Sequence, residues 1–189
     1  MTTPPLLAPR ADASLPPDIF IMATPTELYL VRHAIAADRG SEWPDDNKRP
    51  LTERGISRFK DGVKGLRRLD VALDEIFTSP LLRAKQTAEL LAAGLEGKPP
   101  IKVLDALAPG HTPSAVMTQL ARVARRRRIA LVGHEPDLGE LAAHLIGAGR
   151  ALAFKKGGIC RIDLGSLTSK RAASLTWFLP PTVLRQVKK

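Results

Sequence analysis

Short apolar runs along the chain alternate with longer stretches in which apolar residues recur every three or four positions. Glu27-Leu-Tyr-Leu-Val31, Glu75-Ile-Phe-Thr78 and Ile129-Ala-Leu-Val132 are compact and apolar, the pattern of strands covered on both faces. Between the first two, Ile56, Phe59, Val63 and Leu66 fall at helical spacing behind Thr52, which can cap the first turn. Ser79 reads as the N-cap and Pro80 as the first residue of a helix running to about Ala93. Gly94 to Pro100 is a turn, Ile101 to Leu104 a strand, and Pro113 to about Arg127 a helix with a basic end. Pro136 opens another helix, with Leu138, Leu141, Ala142 and Leu145 on one face.

The last stretch changes period. Cys160, Ile162 and Leu164 alternate with Arg161 and Asp163, and Leu175, Trp177 and Leu179 alternate with Thr176 and Phe178, which predicts a terminal pair of half-exposed strands. Strands alternating with helices predict an α/β fold: a three-layer α/β/α sandwich with a mostly parallel sheet and a terminal antiparallel edge. At 189 residues the expectation is one domain, residues 26–189, behind a flexible extension, residues 1–25, that holds six of the sixteen prolines. Met22, inside that extension, is a second possible start.

Composition narrows the class. Apolar residues make up 44% and charged residues 25%, so the chain is neither disordered nor fibrous. No apolar run approaches the roughly 18 to 20 residues that cross a bilayer. Cys160 is the single cysteine, so no intrachain disulfide forms, and a reducing, cytoplasmic setting is expected. The net charge of +10 favours anionic partners without choosing among them. Its densest run, Arg125 to Arg128, reads as solvated cations at a helix C-terminus and lacks the interleaved aromatics of a stacking site for nucleic acid.

Ligands of open α/β sheets bind beyond the carboxyl ends of the strands. Three strand ends here deliver Arg32-His33, then Ser79 followed by Arg83, and Gly133-His134. Guanidinium forks match phosphate oxygens, and helix N-termini add backbone N–H groups; Glu135, near the N-cap, can offer one. A neutral imidazole in such a pocket can attack phosphorus while arginines stabilise the equatorial oxygens, so His33, Arg32, Arg83 and His134 are the candidate catalytic set, with Arg32, Arg83, His134 and Glu135 binding substrate. His111, in a turn, can line the pocket mouth, and His144 reads as structural on its helix. The scattered histidines and lone cysteine offer no metal site, no cofactor is expected, and Asp45-Asp46 read as loop charges.

Four ordered motifs carry a resemblance: Leu30-Val-Arg-His-Ala34, Arg49-Pro-Leu-Thr-Glu-Arg-Gly55, Thr78-Ser-Pro-Leu-Leu-Arg-Ala-Lys-Gln-Thr87 and Val132-Gly-His-Glu-Pro136. From about Glu27 to Leu179 the chain resembles the histidine phosphatase superfamily, the phosphoglycerate mutase-like proteins, and within it the small SixA-type phosphohistidine phosphatases. The resemblance implies that His33 is the phosphorylated nucleophile and that Arg32, Arg83 and His134 line the phosphate pocket. Ala34 stands where the family usually has glycine. Larger members carry an acid carboxylate, for which Asp105, Glu135 and Asp38 are the candidates. The implied substrate is a phosphorylated protein, such as a histidine phosphotransfer domain. The alternatives are a small phosphate ester, or a noncatalytic module that binds phosphate or nucleic acid.

Overall fold

The computed structural model describes residues 25–168 and 173–188; the extension, including Met22, falls almost wholly outside them. Six strands form one sheet in the order β3-β2-β4-β1-β5-β6. They are β1 (Thr26–Arg32), β2 (Glu75–Thr78), β3 (Ile101–Val103), β4 (Arg128–Gly133), β5 (Ile159–Leu164) and β6 (Ser174–Leu179). The first four are mutually parallel neighbours, while β5 runs antiparallel to β1 and β6 antiparallel to β5, so the architecture is the α/β sandwich with the antiparallel edge that the alternation implied.

Strand side chains alternate between two cores. Tyr29, Val31, Ile76, Ala130 and Val132 pack under α1 (Glu53–Arg68), α2 (Leu82–Gly94) and α5 (Pro181–Leu184). Leu28, Leu30, Phe77, Ile129 and Leu131 pack under α3 (Pro113–Val123) and α4 (Asp137–Ile146). Thr52 caps α1, its hydroxyl accepting from the Gly55 N–H at 3.0 Å. No helix among the described residues is long and apolar enough to cross a membrane.

Three boundaries differ from the sequence reading. Helix α2 begins at Leu82, because Ser79 is held by a histidine instead of capping the helix. Helix α3 stops at Val123, short of the basic run: the Glu75 carboxylate, almost fully buried, accepts the N–H groups of Arg125 (2.9 Å) and Arg126 (3.2 Å) and draws the backbone off the helix. Arg128 opens β4 and pairs with Asp74 at 2.6 Å, so the run is exposed as its pattern suggested but lies beyond the end of the helix. Pro136 is the N-cap of α4, one residue ahead of the first helical position.

Close approach of α5 to α1 depends on Gly65, where a Cβ would be driven into the Leu184 carbonyl. Alanine gains about 1 kcal/mol in helix propensity, but overpacking against backbone costs about 3 kcal/mol. Gly65→Ala is therefore expected to destabilise the fold by about 2 kcal/mol in a urea melt. Gly40→Ala, whose Cβ meets nothing, is the neutral control.

Candidate active site

Because β2, β4 and β1 are adjacent, their carboxyl ends lie side by side at one edge of the sheet, with Arg32 level with Gly133 and Thr78 level with Val132. This registration brings Arg32, His33, Ser79, Arg83 and His134 together. The His33 and His134 rings stand 5.1 Å apart, centroid to centroid.

His33 is clamped through its backbone. Its N–H donates to Gly133 O at 3.0 Å, and its carbonyl, with that of Arg32, accepts from the Gly157 N–H at 3.1 Å. The next residue, Ala34, donates its N–H to Thr87 Oγ1 at 3.1 Å, and Thr87 donates onward to the Arg83 carbonyl at 2.7 Å. His33 Nδ1 lies 2.7 Å from Ala34 O. A carbonyl only accepts, so Nδ1 carries the hydrogen and the neutral ring has its lone pair on Nε2.

Both rings are kept neutral. Burial lowers the His33 pKa to about 4, and the charges of Arg83, Arg32 and Arg49 add to it against the opposing bond to Ala34 O. His134 is lowered to about 3, again chiefly by burial, with His33 and Arg83 contributing. His134 Nε2 meets Ser79 Oγ at 2.9 Å. The same hydroxyl accepts the Leu81 N–H at 3.3 Å and keeps a hydrogen that can point at Nε2; with Ser79 donating, His134 carries its hydrogen on Nδ1.

Arg32 donates from Nη1 to Phe154 O at 2.5 Å and is attracted by the Glu135 carboxylate. Arg83, 2% exposed, grips Asp46 twice: Nη2 to Oδ2 at 3.0 Å and Nη1 to the carbonyl at 2.8 Å. Arg49 Nε reaches Asp46 Oδ1 at 2.8 Å while its Nη1 donates to Ala37 O at 2.6 Å. Burial works against ionisation of Asp46, but the Arg49 hydrogen bond and the charges of Arg83 and Arg39 hold its carboxyl below the usual range. Asp46 has the sequence context of a loop charge, but in the fold it ties Arg83 to Arg49. Asp45 does stay in the loop, accepting the Asn47 N–H.

Among the described residues, Arg32 Nε, Arg83 Nε, His134 Nδ1 and Glu135 Oε1 are buried polar atoms without a hydrogen-bond partner. The two guanidinium Nε atoms are donors beside His33, as is His134 Nδ1 when Ser79 donates to Nε2, and such orphans carry a desolvation penalty that an oxyanion would relieve. Glu135 follows His134, but its carboxyl accepts from the backbone at Phe154 and Gly139, and burial raises its pKa. Asp38, Asp105, His111 and His144 are all exposed. For His144 this corrects the expectation of a packed residue: its neighbours in sequence are apolar, yet its own face of α4 meets solvent.

The buried imidazoles also make stability depend on pH. Unfolded histidine takes a proton near pH 6.5 while His33 and His134 in the fold do not, so the unfolded state binds more protons in this window. Stability is expected to fall as pH drops from 6.5 towards 4, by about 3 kcal/mol for His33 alone. Glu135, raised in the fold, acts in the opposite sense. Urea melts between pH 7.5 and 5 should show this loss in wild type, and a shallower one in His33→Gln/His134→Gln.

An α/β sheet with arginines and histidines gathered beyond three parallel strand ends defines a protein built to hold an anion. Residues 28–109 match the histidine phosphatase superfamily (branch 1). An uncharacterized protein from Picosynechococcus sp. is 43% identical over 144 residues, covering 74% of this chain and 86% of that one. The phosphohistidine phosphatase SixA of Escherichia coli is 26% identical over 165 residues, covering 86% and 98%. Among solved structures, protein histidine phosphatase SixA complexed with tungstate superposes with a TM-score of 0.72 at 24% identity, covering 84% of this chain and 99% of that one. The chain belongs to the histidine phosphatase superfamily, and its fold is that of SixA.

Proposed function

We propose that this phosphatase removes phosphate from phosphohistidine on a protein, with His33 as nucleophile. The observation that carries the reading is the ring of buried, unpartnered donors, Arg32 Nε, Arg83 Nε and His134 Nδ1, around a histidine whose free lone pair is Nε2. An incoming phosphoryl group satisfies those donors, and Nε2 attacks phosphorus in line with the leaving group. The N–P bond to His33 forms as the N–P bond of the substrate breaks, and the substrate imidazole, already protonated, leaves as a neutral ring. Water then attacks the phosphorus of phospho-His33, releasing inorganic phosphate and restoring the imidazole.

The placement of the carboxylates favours this substrate. Asp38 and Asp105 are exposed, and Glu135 is held by the Phe154 and Gly139 backbone and the Arg32 charge, with only Oε1 unpartnered. An alkyl ester needs a donated proton to expel its alkoxide, whereas a protonated phosphoramidate does not. Residues 26–189 would act as a single catalytic domain, needing no metal or cofactor.

The test compares kcat/KM for a phosphohistidine protein, an aryl phosphate and an alkyl phosphate. The reading expects that order, with the alkyl ester slowest by about two orders of magnitude or more. An alkyl ester turned over as fast as the phosphoprotein would overturn the substrate assignment in favour of a small-molecule esterase. Tungstate, the oxyanion in the superposed SixA structure, should compete with all three.

A further inference from the structure

Beside the site, at the same edge of the sheet, lies a cavity of about 340 Å³ between α1, the 155–157 loop and the start of α5. Its apolar floor includes Phe59, Pro180 and Pro181, and its cations are Arg58, Lys155, Lys156 and Arg185. No carboxylate lines it, and Arg58, Lys155 and Lys156 are all exposed. Arg185 faces Asp61 and helps hold that carboxyl low.

The groove is coupled to the nucleophile through backbone. Ala34 lines it, directly after His33, and the segment that supplies both lysines is the one that holds the site: Phe154 O accepts from Arg32, and the Gly157 N–H binds the Arg32 and His33 carbonyls. A polypeptide presenting its phosphohistidine to His33 must lay adjoining residues across neighbouring surface. Four cations without an internal carboxylate complement acidic residues, and an apolar floor complements interspersed aliphatic ones. Nucleic acid fits less well, since Phe59, the aromatic residue of the lining, is 5% exposed and offers no face for stacking.

We infer that this groove docks an acidic, partly aliphatic segment of the phosphoprotein substrate. The inference rests on the proposed protein substrate but is measured apart from it. The probe is a fluorescent twelve-residue peptide, Glu-Leu-Glu-Glu-Leu-Leu repeated twice, followed by anisotropy against the full chain. Lys155→Glu/Lys156→Glu should weaken binding at least about tenfold and reduce its salt dependence. Arg122→Glu/Arg126→Glu, with the same change in net charge away from the groove, should bind like wild type. Aryl phosphate turnover should stay within about twofold in both variants, while KM for a phosphohistidine protein rises only in the first.

Equal weakening in both variants would reduce the effect to net charge and overturn the inference. So would unchanged binding in the groove variant, or wild-type self-association that the groove variant abolishes without any peptide binding, which would mark a contact between copies of the chain. If no phosphoprotein is hydrolysed yet the peptide still binds as described, the substrate assignment fails and the groove stands.

Discussion

Replacing His33 by alanine is expected to lower phosphate release by about 10⁴-fold or more from every substrate. The effect is larger than for any neighbour because the imidazole forms the bond to phosphorus, while the His134 ring beside it is tied through Nε2 to Ser79 Oγ at 2.9 Å. Loss of fold would not explain the result. The clamp on position 33 runs through its backbone, from its N–H to Gly133 O and from Gly157 N to its carbonyl, and alanine keeps both bonds. Circular dichroism and a thermal melt close to wild type should accompany the lost turnover. His33→Gln, nearer in size but without nucleophilic nitrogen, should be equally inactive.

The second large effect is expected at Arg83. Arg83→Met should reduce kcat/KM by about 10² to 10⁴-fold, the range for losing a donor that stabilises charge developing on the transferred group. Arg83→Lys should recover little, because a lysine cannot present two nitrogens to Asp46 while aiming a third at the phosphoryl group. Inorganic phosphate should inhibit both variants less strongly than wild type. The partner of this arginine gives a graded version of the same experiment. Asp46→Asn removes the ionic tie but leaves the carbonyl contact to Nη1, so its loss in kcat/KM should lie between wild type and Arg83→Met.

The strand ends, and with them Arg32, His33, Arg83 and His134, were legible in the sequence because buried parallel strands carry a strong local signal: four apolar residues in a row in β1 and β4 and a short Ile76-Phe77 run in β2, each followed within two residues by a polar one. Which strands are neighbours is a long-range fact, and the site exists because β2, β4 and β1 are adjacent although β4 is far from both in the chain. Asp46 and Arg49 were missed for the same reason. Their importance comes from a contact across 37 residues to Arg83, while locally they look like charges in a loop. The spacing of three between them, within the segment that leads into Arg49-Pro-Leu-Thr, was the signal that could have raised their standing. Ser79 was misjudged because Ser-Pro ahead of an amphipathic stretch suits an N-cap, and nothing in the sequence reveals that a histidine 55 residues on takes its hydroxyl. Glu75 likewise shortened α3 from outside: a carboxylate on another strand competes for backbone N–H groups that the helical pattern had assigned to the helix.

The neutrality of the two histidines could not be read from spacing either. It follows from burial beside three arginines, a feature that also keeps the nucleophile unprotonated well below neutral pH. Turnover limited by the charge state of His33 should therefore persist down to about pH 4, as long as the fold survives the accompanying loss of stability.

The most direct test of the central claim is a rapid-quench experiment with a phosphohistidine protein labelled on phosphorus, in which the phosphatase is isolated and its bound label characterised. The expected result is transient label on the wild-type chain that is stable in base and labile in acid, maps to His33, and is absent together with phosphate release in His33→Ala. Phosphate release that continues unchanged in His33→Ala would contradict it.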